Sequence, residues 1–259
     1  MNASTPFTLT ATESALAAQY ATLLTFYRFF PVAGSAGAYS TYAGPFSIAG
    51  ADGTYAVNDF SLDGLNNEEA VHAQVFSLDN TPPATSIAQP AAAEYVHTAT
   101  LTLDYTVDDG SGSGVRRFTP TMDDQPAVGG HGLDDGQAID LLTELTAGTH
   151  TFSIDAVDNL GNASTRSTTF SIIVTADSIK DDVRHFLQSG AIKNGGLANS
   201  LLAKLDAAGA LRAKGNCNAA ANIYQAFINE LQGQSGKGVD AAAAAIMIGD
   251  AQYLIDHCP

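Results

Sequence analysis

The chain is short of basic charge, tryptophan and long apolar runs, and each shortage removes a class of function. Lysine and arginine number 11 against 27 aspartates and glutamates, a net charge of −16 at pH 7. A surface so negative repels phosphate backbones and anionic headgroups, which argues against nucleic acid or an anionic membrane as a partner. No apolar stretch approaches the roughly 18–20 residues that cross a bilayer, so no membrane span is expected. Residues 1–175 contain no lysine. A self-generated isopeptide bond, which needs a lysine nucleophile, is therefore excluded there. With no tryptophan, few aromatic platforms remain for stacking on sugar rings; Tyr39 is a candidate, while Tyr27, Tyr55 and Tyr105 fall in strand patterns and read as core. The start, MNASTPFTLT, has neither the basic nor the apolar segment of a secretion signal. Either a signal has been removed or the chain is a piece of something longer.

Catalytic motifs are missing too. Neither G-x-S-x-G, H-E-x-x-H, C-x-x-C nor G-x-x-x-x-G-K-[ST] occurs, and the six histidines (72, 97, 131, 150, 185 and 257) form no i, i+4 pair. Adjacent carboxylates do occur, as at Asp108–Asp109 and Asp123–Asp124. Glycosidases need two carboxyls facing across about 5–9.5 Å, which neighbours in a glycine-rich turn do not provide.

One stretch is written twice. Gly53 to Asn67 reads GTYAVNDFSLDGLNN and Gly148 to Asn162 reads GTHTFSIDAVDNLGN, aligned without a gap at an offset of 95 residues. Both copies run from a Gly-Thr turn through a β-prone segment to an Asp and an Asn-rich turn. That spacing suits a β-sandwich of ~100 residues better than a solenoid repeat. The acidity follows the repeats: residues 1–83 carry a net −6, residues 84–175 a net −9 and residues 176–259 only −1.

In residues 1–83, strands are expected at Phe7–Thr12, Leu23–Phe30, Pro45–Ile48, Tyr55–Val57 and Ala73–Phe76, closed by the stiff Leu78-Asp79-Asn80-Thr81-Pro82-Pro83. In residues 84–175 they are expected at Ala99–Val107, Val115–Thr119, Ala138–Leu142, Thr149–Ala156 and Ser167–Val174. After Val174 the apolar period changes from two to 3.6. A helix capped by Asp177 or Ser178 buries Ile179, Val183, Phe186 and Leu187; Gly195-Gly196 break the chain before a second, lined by Leu197, Leu201, Leu202 and Leu205. A third carries Ala220, Ile223, Tyr224, Phe227, Ile228 and Leu231. A fourth, from about Asp240 to His257, carries Ile246, Met247, Leu254 and Ile255. The expected fold class is multidomain β plus α: two antiparallel β-sandwiches and a four-helix module, bounded at 83/84 and 175/176.

Tyr42-Ala43-Gly44-Pro45-Phe46, Asp52-Gly53-Thr54-Tyr55, Asp63 to Asn67 and Asp79-Asn80-Thr81-Pro82-Pro83 together resemble a bacterial extracellular Ig-like repeat. Against that pattern the first strand is short or missing. Asp108-Asp109-Gly110-Ser111-Gly112-Ser113-Gly114-Val115 and Asp158-Asn159-Leu160-Gly161-Asn162 resemble a related Ig-like repeat. Phe227-Ile228-Asn229, Ser235-Gly236-Lys237 and Ala244 to Ile255 resemble the FIMAH module of secreted bacterial proteins. These resemblances imply an appendage on the C-terminal side of a larger exported enzyme, adhesin or surface protein, extracellular or at the cell surface, and none brings a catalytic site.

Two constellations remain. Cys217 opens the third helix and Cys258 closes the fourth, ends that adjoin in an antiparallel pair, so a disulfide is expected in an oxidising setting; two buried thiols are the alternative. Asp63 with Asn67, and Asp158 with Asn162, read either as Asx turns, with Asn66 or Gly161 supplying positive φ, or as part of a calcium site joined by Asp108 or Asp109. If a metal binds, it is expected to be calcium and not zinc or iron, because no soft ligand set assembles. The leading functional expectation is a non-catalytic spacer, anchor or adhesion region, its partners the upstream domains of a parent protein. The rival is a module that targets a secreted hydrolase to polysaccharide, another polymer or a cell surface. A stand-alone enzyme comes third.

Overall fold

The computed structural model describes residues 1–12 and 23–258. Its packing divides the chain into two compact units. One comprises Met1–Ala84, Val107–Phe118 and Ala156–Ser164; the other comprises Thr85–Thr106, Thr119–Asp155 and Thr165–Pro259. The N-terminal part is built of β-sheets and the C-terminal part is helical.

The first unit contains β1 (Pro6–Phe7), β2 (Leu24–Pro31), β3 (Ser40–Thr41), β4 (Phe46–Ser47), β5 (Gly53–Leu62) and β6 (His72–Leu78). One sheet runs in the order β3-β2-β5-β6 and a second pairs β1 with β4. Leu24 lies opposite Leu62 and Pro31 opposite Tyr55; Gly53 lies opposite Leu78. Phe7, Ile48, Tyr55, Val57 and Leu78 form the core, with Phe46 and Phe76 packed against it. The expected strand Phe7–Thr12 shrinks to Pro6–Phe7. Among the described residues it pairs with β4, itself two residues long, Pro6 opposite Ser47 and Phe7 opposite Phe46.

The chain continues through β7 (Ala84–Gln89), β8 (Glu94–Val96), β9 (Thr100–Thr102), β10 (Asp104–Asp108), β11 (Val115–Met122), β12 (Ala127–Val128), β13 (His131–Gly132) and β14 (Ala138–Asp140). Then come α1 (Leu141–Glu144), β15 (Gly148–Asp158) and β16 (Ala163–Ile173). The larger sheet runs β11-β15-β16-β8, with β16 and β8 parallel and Ser171 opposite Glu94. The single strand expected at Ala99–Val107 is two, because the chain changes partner at Leu103: β9 pairs with β14 and β10 with β7. The strand expected at Ala138–Leu142 stops at Asp140, whose carboxylate accepts from Leu142 N at 3.2 Å and caps α1.

Four longer helices follow: α2 (Ala176–Gln188), α3 (Gly195–Arg212), α4 (Cys217–Gln234) and α5 (Ala241–Asp256). Thr175, not Asp177, caps α2, and Ser178 returns the bond to Thr175 N to complete a capping box. Gly195 and Gly196 do not break the chain. They form the first turn of α3, capped by Asn194 through Leu197 N at 2.7 Å. Ile179, Val183, Phe186, Leu201, Leu205, Tyr224, Phe227, Leu231, Met247 and Leu254 meet in one core, which also takes in Leu142 and Val174 from the strand region. Cys217 and Cys258 are joined by a disulfide with Cα atoms 5.9 Å apart. No helix among the described residues is long and apolar enough to cross a membrane.

Candidate functional site

The repeated motif folds the same way twice. After β5, Asp63 Oδ1 accepts from Leu65 N and Asn67 N, both at 2.8 Å, and Oδ2 accepts from Asn67 Nδ2 at 2.7 Å. After β15, Asp158 Oδ1 accepts from Leu160 N and Asn162 N, both at 2.8 Å, and Oδ2 from Asn162 Nδ2 at 2.6 Å. Asn66 and Gly161 supply the left-handed residue, with φ of 63° and 90°. The Asx turn is present at both positions.

Their surroundings differ. Asp63 sits in an open turn, and its pKa is held below the usual carboxylate value mainly by the Asn67 side chain. Asp158 is 0% exposed. Burial pushes its pKa up, but the bonds from Asn162 and Leu160 outweigh that and hold it down. Asp79, 3% exposed, and Asp109 bring carboxylate oxygens to the same place, all within 4.8 Å of one another. Asp79 Oδ2 accepts from Ser113 N at 2.6 Å, and its carbonyl accepts from Asn162 Nδ2 at 3.0 Å. Asp109 Oδ2 accepts from Gly114 N at 2.7 Å. A Cβ on Gly112 would stand 2.6 Å from Asp109 Oδ2, so glycine there keeps the carboxylate in place. A cavity of about 480 Å³ adjoins, lined by Asp52, Asp79, Thr81, Asp109 and Gly112 among others.

The structure thus gathers Asp109 and Asp158 with Asp79, and places Asn162 as hydrogen-bonding support of Asp158 and Asp79. Asp63 and Asn67 stay apart at their own turn. Asp108 turns its carboxylate to Gly110 N at 3.1 Å. Asp79 was visible in the sequence only as part of a hinge, and no local spacing ties it to residues 30 and 79 positions further on. A second carboxylate group, Asp59 and Glu69 with His72, lies largely exposed near the other turn. Tyr39 is no free platform: it meets Phe60 edge-on, and the Arg28 guanidinium covers it at 4.4 Å from the ring centre.

The second unit holds a buried ionisable cluster. His97 is 3% exposed, Asp250 of α5 1% and Asp182 of α2 0%. His97 Nδ1 stands 2.7 Å from Asp250 Oδ1 and Nε2 stands 2.9 Å from the Leu145 carbonyl. Burial opposes charge on His97, yet Asp250 and the Leu145 carbonyl raise its pKa above the ordinary value. Burial first, then the Asp250 charge, pushes Asp182 up to about 8. Both carboxyls were legible, in hindsight, from helical spacing. Asp182 follows Ile179 by three and precedes Phe186 by four; Asp250 stands likewise between Met247 and Leu254.

Together these features define a modular chain, mostly antiparallel β-sheet modules followed by a disulfide-closed helical bundle. Residues 176–256 match the family model of the FIMAH domain. Among solved structures, the chain is similar to the fibronectin(III)-like modules of Clostridium thermocellum CbhA, at 15% identity over 57% of this chain and 78% of that one, TM-score 0.28. It is similar to EC21–23 of human CDH23, at 16% identity over 68% and 71%, TM-score 0.33. It is also similar to the human desmocollin-1 ectodomain, at 14% identity over 68% of this chain but only 38% of that one, TM-score 0.27. No curated protein matches the chain.

Proposed function

We propose that this chain is a non-catalytic accessory region of a larger exported bacterial protein, serving to space, anchor or present its neighbours. The observation that carries the reading is the connector after β6. It is not a free linker. Asp79 is held by Ser113 and Asn162, Ser164 Oγ donates to the Pro83 carbonyl at 2.6 Å, and Asn2 Nδ2 donates to the Leu160 carbonyl at 2.9 Å. Side chains from two repeats clamp the joint, which suits transmission of position better than chemistry. The disulfide agrees with export.

Calcium at Asp79, Asp109 and Asp158 belongs to the same reading. Two unit charges ~4 Å apart repel by about 4 kcal/mol at an effective dielectric of 20. A hard divalent cation relieves that repulsion and prefers oxygen ligands. Calcium should therefore raise the melting temperature of the full chain relative to chelator, and Asp109→Asn should abolish the difference. An equal melting temperature in both conditions removes calcium and leaves the clamp.

The rival role is targeting to a polymer or cell surface, favoured by the helical module's net −1 beside the strand regions' −6 and −9. Pull-down of the full chain on insoluble polysaccharides, cell walls and whole cells separates the two. No retention supports the spacer; retention lost on substituting exposed residues of α2–α5 supports targeting.

A further inference from the structure

His97, His131 and His150 converge on one short segment, Glu144 to Thr146. His97 Nε2 faces the Leu145 carbonyl at 2.9 Å, His150 Nε2 the Thr146 carbonyl at 2.7 Å and His131 Nε2 the Glu144 carboxylate at 3.1 Å. Their other ring nitrogens face Asp250, Asp123 and the Gly132 carbonyl, at 2.7, 2.6 and 3.4 Å. Every one of these ring nitrogens therefore meets an acceptor. A neutral imidazole donates from one nitrogen only, so at His97, between Asp250 and the Leu145 carbonyl, both acceptors are satisfied only by the imidazolium.

The segment these rings hold is also where the strand region meets the helices. Leu142 lies in the helical core and Ala147 packs against it. A cleft of about 550 Å³ between residues 142–147 and α5 is lined by His97, Leu145, Ile246, Asp250 and Tyr253 among others. Behind Asp250, the Asp182 oxygens and Asp250 Oδ2 are buried with no hydrogen-bond partner among the described residues. A proton on Asp182, whose pKa burial raises, supplies that donor.

We propose that His97, Asp250 and Asp182 form a proton-operated latch, which holds α5 against the 142–147 segment at neutral and mildly acidic pH and releases it in alkaline solution. The groups facing the latch are Asp250 from α5, Asp182 and Asp181 from α2, and the Leu145 carbonyl; the cation that acts on Asp182 is His97 itself. Glu144, Asp256 and His257 line the adjoining cleft. With His97 charged and Asp182 protonated, the trio carries one positive and one negative charge and each buried donor meets an acceptor. Deprotonation of either leaves a buried carboxylate uncompensated.

Both titrations have the same sign. The folded-state pKa of His97 lies above its unfolded value of 6.5, so its contribution is whole below 6.5 and is lost as pH rises through the folded value. Asp182 rises from 3.8 to about 8, so its contribution is whole below 3.8, declines with pH and is gone past about 8.

Amide hydrogen exchange on the full chain, corrected for intrinsic rates, tests this. Between about pH 6.5 and about pH 9, protection in α5 and in 142–147 should fall by about tenfold or more, while amides around Phe227–Leu231 of α4 stay protected. Asp182→Asn, whose amide donates to Asp250 at every pH, should reduce that response to about threefold or less. His97→Gln should open the segment at about pH 6.5 to the level the unmodified chain reaches at about pH 9. The proposal fails if the unmodified chain shows the same protection at both pH values, if α4 opens in step with α5, or if Asp182→Asn keeps the full response. If His97→Gln does not fold, the other two profiles decide.

Discussion

At the scale of single residues, Asp63 and Asp158 do the same local work in different company. Each accepts from two backbone amides and one asparagine side chain. The bonds to Asp158 are part-buried where those to Asp63 are exposed, so Asp158→Ala leaves donors partly shielded from water, at about 1–3 kcal/mol for each one left buried. Chemical denaturation should show Asp158→Ala destabilised by at least about 2 kcal/mol, and Asp63→Ala by much less. The depressed pKa of Asp158 adds a sign: its contribution is whole above 3.8 and is lost as pH falls through the lower folded value. The gap between the two variants should therefore close in acid. Tyr224 gives the opposite case. Its hydroxyl is buried with no partner among the described residues, and burial raises its pKa. Tyr224→Phe removes an unsatisfied group and should leave stability within about 1 kcal/mol or raise it; a loss above about 2 kcal/mol would reveal a partner for that hydroxyl.

At the scale of elements, the disulfide closes α4 against α5 over a sequence separation of 41. A loop of that length is worth about 4 kcal/mol in the chain-entropy model. Replacing both cysteines by serine should lower the stability of the second unit by about 2–4 kcal/mol, read by denaturant midpoint, with the helices still formed. That pairing was legible because helix ends follow from periodicity, and Cys217 and Cys258 sit at ends that an antiparallel pair brings together. The helix faces were legible for the same reason, and so were both Asx turns, since Asp and Asn four apart around a residue with positive φ make a purely local structure. What escaped the sequence was set by partners. Leu103 carries no local sign that the strand changes sheet there, and α1 hides in an apolar run until the Asp140 carboxylate caps it. Asp79 escaped as a neighbour of Asp109 and Asp158 because only the folded chain brings β6's end to the turns at 109 and 158.

At the scale of the molecule, the change in apolar period near residue 175 marks where helices begin, but the helical core does not stop there. Leu142 and Val174 lie within it, and His97 pairs with Asp250 Oδ1. A chain of residues 176–259 alone lacks all three. It exposes the surface they covered and leaves Asp250 without its imidazolium, beside an Asp182 that is no longer held by the same charges. Two comparisons test how much the helices draw on the strand region. Leu142→Ala in the full chain removes most of a side chain that is 5% exposed, a change that costs about 2–5 kcal/mol in a packed core. Its effect should appear in the unfolding of α2–α5, followed by helical circular dichroism, even though the substitution lies more than thirty residues before α2. Residues 176–259 produced alone should then unfold at a lower denaturant midpoint than the same helices in the full chain, by more than Leu142→Ala alone produces, because Val174 and His97 are lost as well. Equal midpoints for the isolated helices and the full chain would mean that the helical module is complete at Ala176, and that Leu142 is covered by it without supporting it.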